Sequence, residues 1–394
     1  MVVVRTERVV AGGAMLAHED DGRVLFVRGA APVETVDVAI SDERPRFANA
    51  DVVGVVEPGA DRVDVPCPRR LAGCGGCDWM HLDPSRQLAL KADVLADALR
   101  RIAKRDDVTV ELGGSVPTNG YRTSVRAMGD DSGRLGLRSH HSHDVVSIEG
   151  CLVAHEAIVE LVDTVRVTPG LEVSLRVGAS TGLCTALWDP QKGHVENLPA
   201  HVATGSDAFV EEEVAGKVLR VSAGSFFQSG PDAAQLLVDT VTALVPELAA
   251  ARSIVDAYGG VGMFARCLAP TSVTKVIIES ATAAVRDAKW NCPEAHVHRG
   301  RVEWREAAAY VEAYTDDVDL VVADPARRGL AKAGAAAIAG WSPAVIALVS
   351  CDAASFGRDA AMLAEHGYDL TRVVAVDLFP QTHHVECVSR FVHR

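Results

Sequence analysis

The chain has 394 residues, of which 48% are hydrophobic and 23% charged, with a net charge of −14. This composition excludes a disordered or fibrous protein, and the length calls for two or three domains. No apolar run reaches membrane-spanning length and the N-terminus has no signal-peptide pattern, so a membrane partner is not expected. Nine cysteines, an odd number, point to the cytoplasm and to metal or catalytic roles, not to a disulfide framework. The acidic total counts against a general nucleic-acid binder, but a local basic face would still serve. Lys91 to Lys104, with Arg100 and Arg101, and Arg122 to Arg138 are the candidates for such a face.

Residues 1–58 read as β-structure. Arg8 to Met15, Arg23 to Arg28, Glu34 to Ile40 and Ala50 to Val56 are strand-like, and Asp21-Gly22 is a hairpin signal. Short strands of this kind suit a small closed barrel. The segment is similar to the TRAM domain, an OB-like RNA-binding barrel.

Cys67, Cys74 and Cys77 follow as C-x6-C-x2-C on a Gly-rich loop. Three thiolates this close can face one centre, and zinc and iron–sulfur both want a fourth ligand. Cys151, Cys184, Cys267 and Cys292 are the downstream candidates. Cys151 is preferred because Ile148-Glu-Gly-Cys151 ends a strand-like stretch that gives the thiol no other task. Spacing alone leaves the two metals open.

From Asp83-Pro84 the period changes. Leu88, Val94, Leu95, Ala98, Leu99 and Ile102 recur at three and four, which predicts an amphipathic helix over 84–104 behind an Asp N-cap. Tyr121 to Ala127 and Leu135 to His143 are strand-like and carry Arg and His. His140, His141 and His143 resemble a metal array, but strand alternation would send them to both faces, so no metal is assigned there. Residues 152–215 add further β-structure and the acidic run Glu211 to Glu213.

From residue 216 strands and helices alternate, which implies a parallel, doubly wound sheet. Ser253-Ile-Val-Asp256-Ala-Tyr258-Gly259-Gly260-Val-Gly262 is a strand followed by a Gly-rich turn that lets a ligand approach the backbone. The next strand ends at Glu279, placed to hold ribose hydroxyls. The spacing G-x-G-x-x-G of a dinucleotide site is absent, since Arg266 and Cys267 stand where its third glycine belongs. A further apolar strand ends at Asp324-Pro325-Ala-Arg327. Val345 to Val349 is a buried strand that stops at Ser350-Cys351, and ligands of such sheets bind just past strand ends. Phe227-Gln228 offers aromatic surface and an amide, and Glu386 is an acid among apolar residues, either paired or functional.

Taken in order, Phe227-Gln228, Asp256 to Gly262, Glu279, Asp324 to Arg327, Ser350-Cys351 with Arg358-Asp359, and His384-Val-Glu386 resemble the motifs of the RNA uracil-C5 methyltransferases that use S-adenosylmethionine (SAM). The resemblance covers nearly the whole chain. It implies α/β plus β architecture in three parts: a TRAM barrel (1–58), a β-rich central iron–sulfur domain (59–215) whose helix 84–104 packs on the catalytic domain, and a Rossmann-like class I methyltransferase domain (216–394). It implies Cys351 as nucleophile and Glu386 as base. Gln228, Tyr258, Gly260, Gly262, Glu279 and Asp324 are implied around SAM and uracil. Cys67, Cys74, Cys77 and Cys151 are implied as ligands of a [4Fe–4S] cluster. The partner would be a ribosomal or transfer RNA loop, met by a monomer. The chain departs from the family at Arg301, where Asn or Asp is usual near the adenine, at Met263, and at Asp352-Ala353, where Asn-Pro is usual. Two other readings stay open: a silent iron–sulfur RNA-binding protein, and a SAM methyltransferase acting on another RNA atom.

Overall fold

The computed structural model describes residues 2–139 and 144–394. The cluster of His140, His141 and His143 lies outside them. Among the described residues no helix is long and apolar enough to cross a membrane.

The first five strands close into a barrel in the order Val2–Val9, Met15–His18, Val24–Arg28, Phe47–Glu57, Thr35–Glu43. Alternation fills it with Val4, Met15, Ala17, Leu25, Val27, Val36 and Val38, all buried. The strand expected over Arg8 to Met15 is instead a strand end and a turn, because Gly12 and Gly13 both take positive φ there.

A second sheet of six strands runs Val202–Thr204, Cys184–Trp188, Glu172–Val177, Ser124–Gly129, Leu135–Arg138, Val145–Ser147. The helix Glu156–Thr164 covers it with Ile158, Leu161 and Val162.

The third sheet has eight strands: His296–Arg299, Thr274–Glu279, Ser253–Ala257, Leu320–Ala323, Val345–Ser350, Glu386–His393, Tyr368–Asp377, Val110–Ser115. The first five are parallel, and Glu386–His393 runs antiparallel beside Val345–Ser350. Chain order reverses between Ser253–Ala257 and Leu320–Ala323, which creates the crevice where such sheets bind ligands.

Two boundaries differ from expectation. The edge strand Val110–Ser115, from the stretch assigned to the central domain, pairs in parallel with Tyr368–Asp377. The hairpin Phe209–Val214 and Lys217–Ser222 packs both strands on the catalytic core through Val210, Val214, Leu219 and Val221, so a boundary at 215/216 cuts its turn.

Asp83 caps the helix Pro84–Ala98 by accepting from the Ser85 N–H at 2.9 Å. A π-turn continues it over Leu99–Ala103. Its apolar face joins Phe356, Ala360 and Leu363 of the helix Ala353–Glu365. Lys91 is the exception to the basic face proposed for this stretch. It is wholly buried and donates to Asp377 Oδ1 at 2.6 Å and to the Phe379 carbonyl at 3.1 Å. Arg100 and Arg101 do stay exposed, paired with Asp97.

Removing one partner of a buried pair strands the other charge, whereas removing both charges does not. Lys91→Met is therefore expected to lower unfolding stability by about 3–5 kcal/mol. Adding Asp377→Asn, which keeps an acceptor for the Phe379 N–H, should recover most of the loss in urea titrations.

Candidate active site

Every residue of Ser253–Ala257 is buried, as a central parallel strand requires. Asp256 near its end accepts from the Ala265 N–H at 3.0 Å and so ties the strand to the helix that follows the turn. Burial pushes this carboxyl up to about 8. Tyr258 sits in the left-handed region at φ 62°, and Gly260 follows at φ 54° with open space where a side chain would start. That gap leaves the backbone exposed to a ligand. Glu279 closes the turn: one carboxylate oxygen accepts from Gly260 N at 3.0 Å, the other from Ala281 N at 2.6 Å.

A cavity of about 290 Å³ opens here, lined by Tyr258, Glu279, Ser280, Arg301, Glu303 and Arg328 among others. Arg301 donates towards Glu303 at 2.6 Å, and Arg328 lies 3.8 Å from the same oxygen. Glu303 therefore joins Glu279 as an acid of this cavity, two residues past the position where the resembled family carries Asn or Asp.

Across the crevice Asp324 follows its strand and accepts from Gln228 Nε2 at 3.1 Å. Val345–Ser350 is buried throughout and delivers Cys351, half-buried, at its end. Antiparallel pairing sets Val349 against Val388 and Ser350 against Cys387. One further step of that register places Cys351 opposite Glu386, which is only 4% exposed.

Burial raises all three acids. The Cys351 thiol is pushed up to about 12, with Glu386 and Asp324 adding to the effect of burial and Arg327 opposing it. Glu386 is held well above the carboxylate range by burial and by Asp324, against Arg327 and Lys91. Asp324 rises to about 7, again by burial, with the Gln228 amide opposing. The Arg327 guanidinium sits 3.1 and 3.2 Å from the two ring nitrogens of His384. Near-equal distances place it over the ring, and burial with His383 and Arg327 drives His384 down to about 4.

Two supporting residues were not assigned roles from sequence. Asp359, on the buried face of the helix Ala353–Glu365, accepts from Leu330 N at 2.9 Å and fixes the loop after Asp324. A Cβ on Gly329 would lie 2.1 Å from its carboxylate, so that loop needs glycine at φ 74°. An acid on an apolar helix face was the available signal. Asp352 caps the same helix by accepting from Ser355 N at 2.7 Å, so its departure from the family pattern preserves a cap. Met263 is buried at the first turn of its helix.

Cys67, Cys74, Cys77 and Cys151 line one cavity of about 40 Å³ with Arg69, Arg70 and Arg122. Burial pushes Cys77 up to about 12, and Cys151 is the first thiol to add to that effect. The other candidates lie elsewhere: Cys292 bonds the Gly262 carbonyl, Cys267 that of Val214, and Cys184 that of Gly182. Among the described residues no three His, Cys, Asp or Glu side chains converge tightly enough for a single metal ion.

No protein-family model matches the chain. An uncharacterized RNA methyltransferase of Streptomyces avermitilis is 35% identical to it, over 97% of this chain and 95% of the relative. The 23S rRNA (uracil(1939)-C(5))-methyltransferase RlmD of Shewanella piezotolerans is 28% identical over 96% of this chain and 93% of its own. The fold is that of the Pyrococcus abyssi tRNA (uracil-54, C5)-methyltransferase, crystallised with S-adenosyl-L-homocysteine, at a TM-score of 0.74, 22% identity, and 99% and 100% of the two chains. With a relative this similar over nearly its full length, the chain belongs to the RNA methyltransferase family.

Proposed function

We propose that this protein transfers a methyl group from SAM to C5 of a uridine in structured RNA, ribosomal or transfer, through a covalent bond between Cys351 and C6 of the base. The observation that carries the reading is that Cys351 and Glu386 each stand one residue beyond the register pair Ser350–Cys387 and interact electrostatically, with Asp324 bonded to Gln228 beside them. The uracil-C5 specificity of the RlmD relative supports it. A nitrogen acceptor would give Cys351 no task.

Uracil C5 is a poor nucleophile. Addition of the Cys351 thiolate to C6 moves the ring electrons towards C5 and O4, and C5 then forms the bond to the incoming methyl. SAM, when bound, would supply that methyl group, its S–CH3 bond breaking so that S-adenosyl-L-homocysteine leaves as the neutral thioether. Glu386 removes the C5 proton, the electrons of that C–H bond restore the C5–C6 double bond, and the C6–S bond breaks to free Cys351. Asp324 and Gln228 hold the edge of the uracil. Tyr258 and Glu279 line the cavity and, with open space at Gly260 beside them, would hold the adenosyl end of SAM, whereas Gly262 packs against Cys292 and Ile277 and would serve the turn itself.

The target base must leave its stack to reach this pocket, which RNA loops make cheap. Phe226, 71% exposed beside Phe227 and Gln228, offers a surface for a displaced base. The barrel and the exposed Arg100, Arg101 and Arg126 would meet phosphates.

Cys67, Cys74, Cys77 and Cys151 would hold a [4Fe–4S] cluster. Four thiols around one cavity suit four-thiolate ligation by zinc or a cluster alike, and the resemblance to the uracil-C5 methyltransferases decides for the cluster. When bound, it would tie Cys67, Cys74 and Cys77 to Cys151. Protein purified without air should contain about four irons and acid-labile sulfide per chain, as four-thiolate ligation demands, and stoichiometric zinc without sulfide would contradict this.

Cys351→Ala should abolish methylation and leave SAM binding intact. Glu386→Gln should add and methylate but stall as a methylated protein–RNA complex on a denaturing gel, with release slowed ~10²–10⁴-fold. Methylation by Cys351→Ala at the wild-type rate would rule the nucleophile out.

The pH dependence follows from the raised Glu386. A raised carboxyl is neutral at low pH and becomes a base only as pH climbs through its pKa. Release of methylated RNA should therefore accelerate with rising pH in the wild type. Glu386→Gln, with nothing to ionise at that position, should lose this rise when adduct breakdown is followed by quench.

A further inference from the structure

We propose that Asp78, beside the cysteine ligand set, is a positioning residue for the loop that delivers Glu386, so that the cysteine module governs the last step of the reaction. The proposal rests on reading Glu386 as the base.

The loop between Tyr368–Asp377 and Glu386–His393 is held from outside at one residue after another. The carbonyls of Leu378, Phe379, Pro380 and Gln381 accept from Ser229 Oγ at 2.9 Å, Lys91 Nζ at 3.1 Å, Tyr121 Oη at 3.1 Å and Trp79 N at 2.9 Å. Three of these four donors come from the segment between the cysteine loop and the central sheet. Gln87 adds a reciprocal pair, accepting from Gln381 N at 2.7 Å and donating to its side-chain oxygen at 3.2 Å. Gln381 needs this grip, because it stands at φ 69°, a left-handed conformation that persists only where its surroundings impose it.

Asp78 makes the attachment nearest the base. It accepts from the His383 N–H at 3.1 Å and pairs with His383 Nδ1 at 2.6 Å, three residues before Glu386. The preceding residue is Cys77, which lines the four-thiol cavity. Whatever fills that cavity therefore fixes where Asp78 stands, and Asp78 fixes His383. The strand Val345–Ser350 is held by pairing on both sides, to Leu320–Ala323 and to Glu386–His393, so Asp78 touches neither Cys351 nor its strand and acts on the residues just before Glu386.

The consequence is a selective defect. Asp78→Ala should leave the KM for SAM and for RNA unchanged, with addition and methyl transfer intact. Breakdown of the methylated complex should slow by roughly 10²-fold, the penalty for misplacing a catalytic group by about 1 Å. Asp78→Asn, which keeps the acceptor for His383 N, should recover much of the rate. Hydrogen exchange should quicken at the amides of residues 381–384 in Asp78→Ala and stay unchanged at residues 253–262. Should Asp78→Ala not fold, Gln87→Ala removes both bonds to Gln381 and must show the same split.

Glu386→Gln, measured alongside, separates the two ideas. If it stalls as a methylated complex while Asp78→Ala releases product at the wild-type rate, the positioning role is wrong. If Glu386→Gln itself releases product normally, the base is misassigned and the proposal falls with it. A loss in Asp78→Ala spread evenly over KM and kcat, without an accumulating complex, would mark a merely structural contact and overturn the proposal too.

Discussion

The site depends on one electrostatic constraint: Cys351, Asp324 and Glu386 meet in one crevice, Glu386 buried and the other two partly so. Three ionised acids so close would repel one another across a low dielectric, and burial already penalises each charge. The cations that act on them are few, Arg327 over His384 and Lys91 behind Glu386. Burial and mutual repulsion therefore raise all three groups above their ordinary values, Asp324 to about 7 and the thiol to about 12.

The same constraint explains the architecture around it. Parallel strands with continuous apolar sequence bring Asp256, Asp324 and Cys351 to one edge of the sheet, and an antiparallel strand brings Glu386 to meet Cys351. The groups that steady this edge are themselves buried acids or their partners. Asp359 holds the loop after Asp324, and Lys91 with Asp377 anchors the loop before Glu386.

Much of this was legible in sequence where one local rule dominates. A buried parallel strand is a short apolar run, so its carboxyl end marks Asp324 and Cys351 directly. The turn after Asp256 announced itself through its glycines, and the helix behind Asp83-Pro84 through period and cap. What stayed hidden depends on distant partners. Lys91 reads as a solvent-facing charge until Asp377 is placed beside it, 286 positions away. Asp78 and His383 are 305 positions apart, and neither belongs to a recognisable pattern. Val110–Ser115 lacks strand alternation and contains two glycines, so only its pairing with Tyr368–Asp377 reveals it. Arg301 stood out as a departure, but its pairing with Glu303 needed coordinates.

The central claim is that Cys351 attacks a uracil ring from the end of its strand. RNA carrying 5-fluorouridine tests it most directly, because fluorine cannot leave as a proton does and the covalent complex should be trapped. Incubation with SAM, digestion with protease and nuclease, and mass spectrometry of the linked peptide would locate the bond. The account predicts one adduct, a methylated fluorouridine on the peptide containing Cys351. No adduct, an adduct on another cysteine, or a methyl group found on nitrogen or ribose of unmodified RNA would contradict it.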